Sequence, residues 1–213
     1  MNILILAAHP DDEVLGMGGT IKKLSKKKNK IHLLVITEGA SAQYNDSEMK
    51  QIRKQSCKKS SQILGISSIN FLDYPDMKLD TIPQLKINQS IEKEIRKIKP
   101  EIVYTTPNHD LNSDHRILHE STLVASRPQS GVKKILSYEI PGFVKKSIHP
   151  NVFENIELEL TYKLKAMRSY KSEIEKFPHP RSLKAIENLS IHRGIESGLK
   201  NAEAFQLLTS IKK

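Results

Sequence analysis

The chain has no tryptophan, one cysteine and only 5% aromatic residues among 213. A single thiol, Cys57, excludes an internal disulfide framework and fits a reducing compartment, so a cytoplasmic location is expected. Cys57 reads as a small packing residue of a helix. No apolar run approaches the length of a membrane span, which argues against stable membrane insertion. The amino terminus lacks the charged-then-apolar layout of a signal peptide and reads as a strand. Acids are also short relative to bases: 24 Asp and Glu stand against 34 Lys and Arg, for a net charge of +10. The excess is mostly lysine in solvated runs such as Lys26–Lys28 and Lys58-Lys59, without interleaved aromatics or a nucleic-acid motif, so no nucleic-acid partner is expected. Hydrophobic content of 38% is lean but enough for a globular core at this length.

What is present begins at Asn2–Thr20, NILILAAHPDDEVLGMGGT. The near-continuous apolar run Asn2–Ala8 reads as a buried strand. His9, Asp11, Asp12 and Glu13 follow it, then Gly16, Gly18 and Gly19. A polar cluster where a buried parallel strand turns into a helix lies in the crevice where open α/β sheets bind ligands. His9 and Asp12 supply a nitrogen and an oxygen donor across one turn, with Asp11 between them, which suits a metal with a free carboxylate for proton transfer. The plainer alternative is that the acids only complement a helix dipole and Pro10 fixes the turn.

Strand and helix patterns then alternate, predicting one domain over 1–213 built on a mostly parallel sheet covered by helices. Helices are expected over Val14–Lys28, Glu48–Leu64 with Gly65 as C-cap, Ile82–Lys97 and Ser113–Ala125. Strands are expected over Ile31–Thr37, Ile69–Leu72, Glu101–Thr106 and Lys133–Ile140, with an edge strand at Val152–Ile156. Ala40–Ser47 reads as a loop and Asp73–Asp80 as an irregular connection. Everything from Glu157 onward reads as helical, with a break around Pro178 and Pro180.

Pro107–Arg116, PNHDLNSDHR, again places polar groups straight after a strand, and parallel strands bring such ends together. One local donor pair plus a distant histidine such as His115 leaves a coordination position open for water. Alternatively Asn112, Ser113 and Asp114 merely cap a helix, or His115 and His119 form their own pair. His119 reads better as a packing residue one turn deeper.

The first motif, AHPDDE with the following GMGGT, resembles the opening signature of the LmbE-like (PIG-L) family of zinc-dependent N-acetylglucosaminyl deacetylases. The resemblance implies that His9 and Asp12 bind zinc, or another divalent transition metal, and that Asp11 is the general base. It also implies a Rossmann-like three-layer α/β sandwich. The family's second signature ends in an Asp-His pair whose histidine is the third ligand; here Asn112, Ser113, Asp114 and His115 stand there. That makes His115 the ligand and Asp114 its supporting acid, while Asn112 replaces a histidine and can donate a hydrogen bond but cannot act as a general acid. Arg53–Gly65 resembles a family helix, with Ser56 in place of a glutamate, and implies that Arg53 reaches the substrate. Phe71–Leu79 and Arg193–Phe205 resemble further blocks, the latter from members that process surface-glycan or natural-product sugars.

The expected activity is therefore metal-assisted removal of an N-acetyl group from an N-acetylglucosamine-type sugar, with release of acetate. Asp11, Asn112 and Asp114 serve the chemistry, Arg53 and His109 the sugar, and the glycines give backbone room for the ligand. Whether the protein forms a homo-oligomer is left open. The rival is a non-catalytic sugar- or nucleotide-binding domain on the same fold. A dinucleotide oxidoreductase is disfavoured, because acids stand where a pyrophosphate would sit.

Overall fold

The computed structural model describes residues 1–42, 44, 47–142, 146 and 148–212. Within the loop expected over Ala40–Ser47, residues 43, 45 and 46 lie outside that description. In chain order the elements are β1 (Asn2–Ala7), α1 (Asp12–Lys26), β2 (Lys30–Thr37), α2 (Ser47–Leu64), β3 (Ser68–Tyr74), α3 (Gln84–Ile98), β4 (Ile102–Thr105) and α4 (Ser113–Ala125). β5 (Lys134–Tyr138), β6 (Val152–Asn155), α5 (Leu160–Met167), α6 (Leu183–Ser197) and β7 (Ala202–Ser210) complete it.

All seven strands join one sheet in the order β3-β2-β1-β4-β5-β7-β6. β1 to β5 run parallel, with Ile3 opposite both Ile31 and Ile102. Strand alternation assigns the two faces. Ile3, Ile5 and Ala7 pack with residues of α1, α2, α5 and α6, whereas Leu4, Leu6 and Ala8 pack with those of α3 and α4. The result is the expected three-layer α/β arrangement. The order of strands reverses direction between β1 and β4, which makes their carboxyl ends the ligand crevice of an open parallel sheet.

Several boundaries differ from expectation. β3 is longer than Ile69–Leu72, and a short 3-10 turn at Leu79–Thr81 interrupts the connection that follows. The larger correction is at the carboxyl end: after α6 stops at the left-handed Gly198, Ala202–Ser210 is not helical but a strand. β7 lies inside the sheet, antiparallel to β5 and β6, and β6 takes the edge as expected.

The glycines of α1 are also reassigned. A Cβ at Gly16 would stand 2.3 Å from Tyr138 Cδ2, one at Gly19 2.7 Å from Ile156 and one at Gly18 3.1 Å from Lys163. They let the helix pack closely on its neighbours rather than leave room for a ligand. The helix is kinked at Met17, whose φ is −148°. Past the kink, the Gly19 and Thr20 N–H groups donate to the buried Glu203 carboxylate at 2.9 and 2.6 Å, and Lys163 Nζ donates to the same group at 2.6 Å. Among the described residues no helix is long and apolar enough to cross a membrane.

Candidate active site

The site begins where β1 runs out. Asp11 has φ 123° and ψ −26°, a conformation that costs a non-glycine residue on the order of 1–3 kcal/mol and persists only when its surroundings enforce it. Here the enforcement is visible. His9 N–H donates to Asp12 Oδ2 at 2.8 Å, and Asp11 N–H donates to Glu13 Oε2 at 3.1 Å. Tyr170 O–H holds the other Glu13 oxygen at 2.6 Å. Burial, with Asp11 nearby, pushes the Glu13 carboxyl up to about 7.

That turn brings three donors together. His9 Nδ1 lies 3.2 Å from His115 Nε2 and 3.5 Å from Asp12 Oδ2, and His115 Nε2 lies 3.4 Å from Asp12 Oδ1. The outward nitrogens face acids: His9 Nε2 is 3.3 Å from Asp114 Oδ2 and 3.2 Å from Asp76 Oδ1, and His115 Nδ1 is 2.7 Å from Asp110 Oδ2. A carboxylate on the outer nitrogen fixes the tautomer and leaves the inner lone pair available. Two inner lone pairs and Asp12 Oδ1 therefore converge, and Asp12 Oδ1 is buried with no hydrogen-bond partner among the described residues. Two nitrogens that face each other and one oxygen without a hydrogen-bond partner fit a divalent transition metal.

The electrostatics agree. Burial alone would lower the His115 pKa, yet Asp12 and Asp110 raise it to about 9; Asp114, Asp12 and Asp76 likewise raise His9 against its burial. Asp12 is held well below the usual carboxylate range, its burial outweighed by His115 and His9. The pocket is thus built to hold positive charge, and a metal entering it displaces protons.

Asp11 has a different character. It is 0% exposed, makes no capping bond, and neither oxygen has a hydrogen-bond partner among the described residues. The capping alternative therefore fails for this residue. Arg53 Nη1 and Arg181 Nη1 lie 3.6 and 3.8 Å from Asp11 Oδ2. Burial raises the Asp11 pKa, and the two guanidiniums only partly offset it.

The remaining expected residues fall as follows. Asp114 accepts the Met77 and Leu79 N–H groups at 2.8 and 3.1 Å, so it orients His9 while fixing the connection after β3. Asn112 caps α4, its Oδ1 accepting from Asp114 N–H at 2.9 Å, which leaves its NH₂ as the free end. Together with His115 it lines an open cavity of about 500 Å³. Arg53, expected to reach substrate, is 2% exposed and turned inward, donating to Pro10 O at 2.8 Å and pairing with Glu173. His109 lines a neighbouring chamber of about 290 Å³ rather than the main cavity. His119 bonds Thr106 O at 2.8 Å and is buried, as a packing residue would be.

Sequence reasoning missed Asp76, Asp110, Glu173 and Arg181. Asp76 and Asp110 lie within quoted motifs, but no spacing marks an acid as the partner of a particular ring nitrogen. Glu173 and Arg181 come from the irregular run between α5 and α6, where no periodicity points inward.

Residues 4–126 match the family model described as GlcNAc-PI de-N-acetylase (PIG-L), a span containing both halves of the cluster. The chain is 32% identical over 179 residues to an uncharacterized deacetylase of Escherichia coli, covering 80% of this chain and 90% of the relative. It is 26% identical over 226 residues to diacetylchitobiose deacetylase of Thermococcus kodakarensis, covering 98% and 84%. The structure of N,N'-diacetylchitobiose deacetylase from Pyrococcus horikoshii superposes with a TM-score of 0.82 at 23% identity, over 98% of this chain and 84% of that one, a likeness of fold. With its family match spanning more than half its length and both halves of the histidine–aspartate cluster, the chain belongs to the PIG-L family.

Proposed function

We propose that the protein is a metal-dependent hydrolase that removes the N-acetyl group of an N-acetylglucosamine-type amino sugar and releases acetate. His9, Asp12 and His115 hold the cation, with zinc the first candidate. The observation that carries this reading is Asp11: a fully buried carboxylate, in a strained turn, with both oxygens unbonded beside three converging metal donors. A binding domain that had lost its chemistry gives no reason to keep such a group, because a buried carboxylate that accepts no hydrogen bond is costly even with two guanidiniums at 3.6 and 3.8 Å.

Zinc bound here would polarise the acetamide carbonyl and bring the pKa of a water to about 7. Asp11 takes a proton from the attacking water as its oxygen bonds to the acyl carbon. Its raised pKa makes it a better base than an exposed aspartate. Asn112, which lines the cavity with His115, donates its N–H to the developing oxyanion. The C–N bond then breaks, Asp11 returns the proton to the departing nitrogen, and free amine and acetate remain. Arg53 stands beneath Asp11 and holds it in place.

The test is an acetate-release screen over free, glycosidic and carrier-linked N-acetyl sugars, run on metal-replete and chelated protein. Release from at least one sugar that stops on chelation and returns with zinc is expected. Binding without release by the replete protein would favour the non-catalytic rival.

A further inference from the structure

With Arg53 turned inward, the guanidinium that faces the main cavity is that of Arg181. Its side chain is 32% exposed and lines the cavity beside His115 and Asn112. Only one end is engaged: Nη1 is 2.7 Å from Glu173 Oε2 and 3.8 Å from Asp11 Oδ2. Glu173 is buried and held in turn by Arg53 and by Ser172 Oγ at 2.9 Å. Arg181 is therefore anchored through one nitrogen. Among the described residues nothing takes its Nε or Nη2, although a guanidinium carries five N–H donors in a fixed planar fork.

An acetamido sugar placed with its acyl carbon beside Asp11 has its nitrogen-bearing ring carbon two bonds further out. That carbon has two ring neighbours, the anomeric carbon and the carbon carrying the next hydroxyl. The main cavity shares Ile140, Pro141, Gly142 and Pro180 with the chamber of about 290 Å³, so an anomeric substituent has an exit on that side. The remaining lining of the main cavity, which includes Ser172, Glu173 and Arg181, is left for the hydroxyl-bearing carbon.

We propose that Arg181 contacts the substrate, donating from its unengaged guanidinium edge to the ring hydroxyl next to the acetamido carbon, with Glu173 as its positioning residue. This rests on the deacetylase reading and adds what that site recognises: an N-acetylhexosamine whose neighbouring hydroxyl is free. Sugars carrying a bulky ether at that oxygen are excluded.

Acetate release from N-acetylglucosamine and its 3-deoxy analogue is compared for the parent, Arg181→Gln and Arg181→Lys. The parent should lose roughly 10- to 100-fold in kcat/KM on the deoxy sugar, the range for one hydrogen bond to a charged group. Arg181→Gln should lose a similar factor on N-acetylglucosamine and no more on the analogue, with Arg181→Lys recovering part of the preference. If Arg181→Gln slows both sugars equally and keeps the parent's preference, Arg181 acts only through Asp11 and the proposal is overturned. Should the parent hydrolyse neither sugar, calorimetric binding of the same two sugars reads the same cycle. A parent preference abolished in Arg181→Gln then upholds the contact and leaves only the hydrolysis in error. No parent preference in either measurement overturns the contact.

Discussion

Each histidine of the cluster turns one nitrogen toward acids and the other toward the proposed cation site, and the acid on the outer nitrogen sets the tautomer of the ring. Asp110 holds His115 Nδ1 at 2.7 Å and also accepts Asn112 N–H at 2.9 Å, so it ties the ring to the loop before α4. Asp110→Asn should therefore weaken metal retention by about 10- to 100-fold, measured by competition with a chromophoric chelator, while the fold persists. His119 behaves oppositely. Its burial lowers its pKa below 6.5, so the folded protein binds the proton less well than the unfolded chain does. That contribution to stability is complete above about pH 6.5 and is lost as pH falls below it. Denaturant unfolding should accordingly show less acid destabilisation between about pH 6.5 and 5 for His119→Gln than for the parent. His9 and Asp12 stood out in the sequence because metal-type donors crowd the end of an apolar strand, whereas His115 was singled out from His109 and His119 by the family resemblance. Asp76 and Asp110 were not, since an acid's partner depends on the path of a loop that no local pattern specifies.

At the scale of elements, β1, β2 and β4 announced themselves as short apolar runs, and their ends located the site. β7 did not. Its sequence, AEAFQLLTS, is rich in Ala, Glu, Gln and Leu, which favour helix, and only pairing with β5 and β6 makes it a strand. Its placement matters beyond the sheet, because Glu203 serves the N–H groups freed by the kink in α1 and neutralises Lys163 in the interior. Glu203→Ala leaves a buried ammonium and two backbone donors unsatisfied. It should cost on the order of 3–5 kcal/mol of stability in denaturant unfolding, the usual range for breaking a buried pair from one side. Glu203→Gln should cost less, since its carbonyl still accepts from the backbone.

For the whole molecule, the cluster exists only because the reversal of strand order sets the ends of β1 and β4 side by side. His9 and Asp12 of the cluster come from the turn after β1 and His115 from the start of α4, so neither segment holds all three donors. The positive net charge does not bear on this arrangement. Several of its lysines are paired on the surface, as Lys23 with Glu154, Lys26 with Glu159 and Lys200 with Glu157. The central claim is a division of labour within one turn: Asp12 holds the cation and Asp11 moves the proton. It is tested most directly by measuring zinc content and the rate of acetate release side by side in Asp11→Asn and Asp12→Asn. The account predicts that Asp11→Asn retains zinc at the parent level but loses about two to four orders of magnitude in rate, and that Asp12→Asn loses zinc. An Asp11→Asn protein that releases acetate at the parent rate would contradict it.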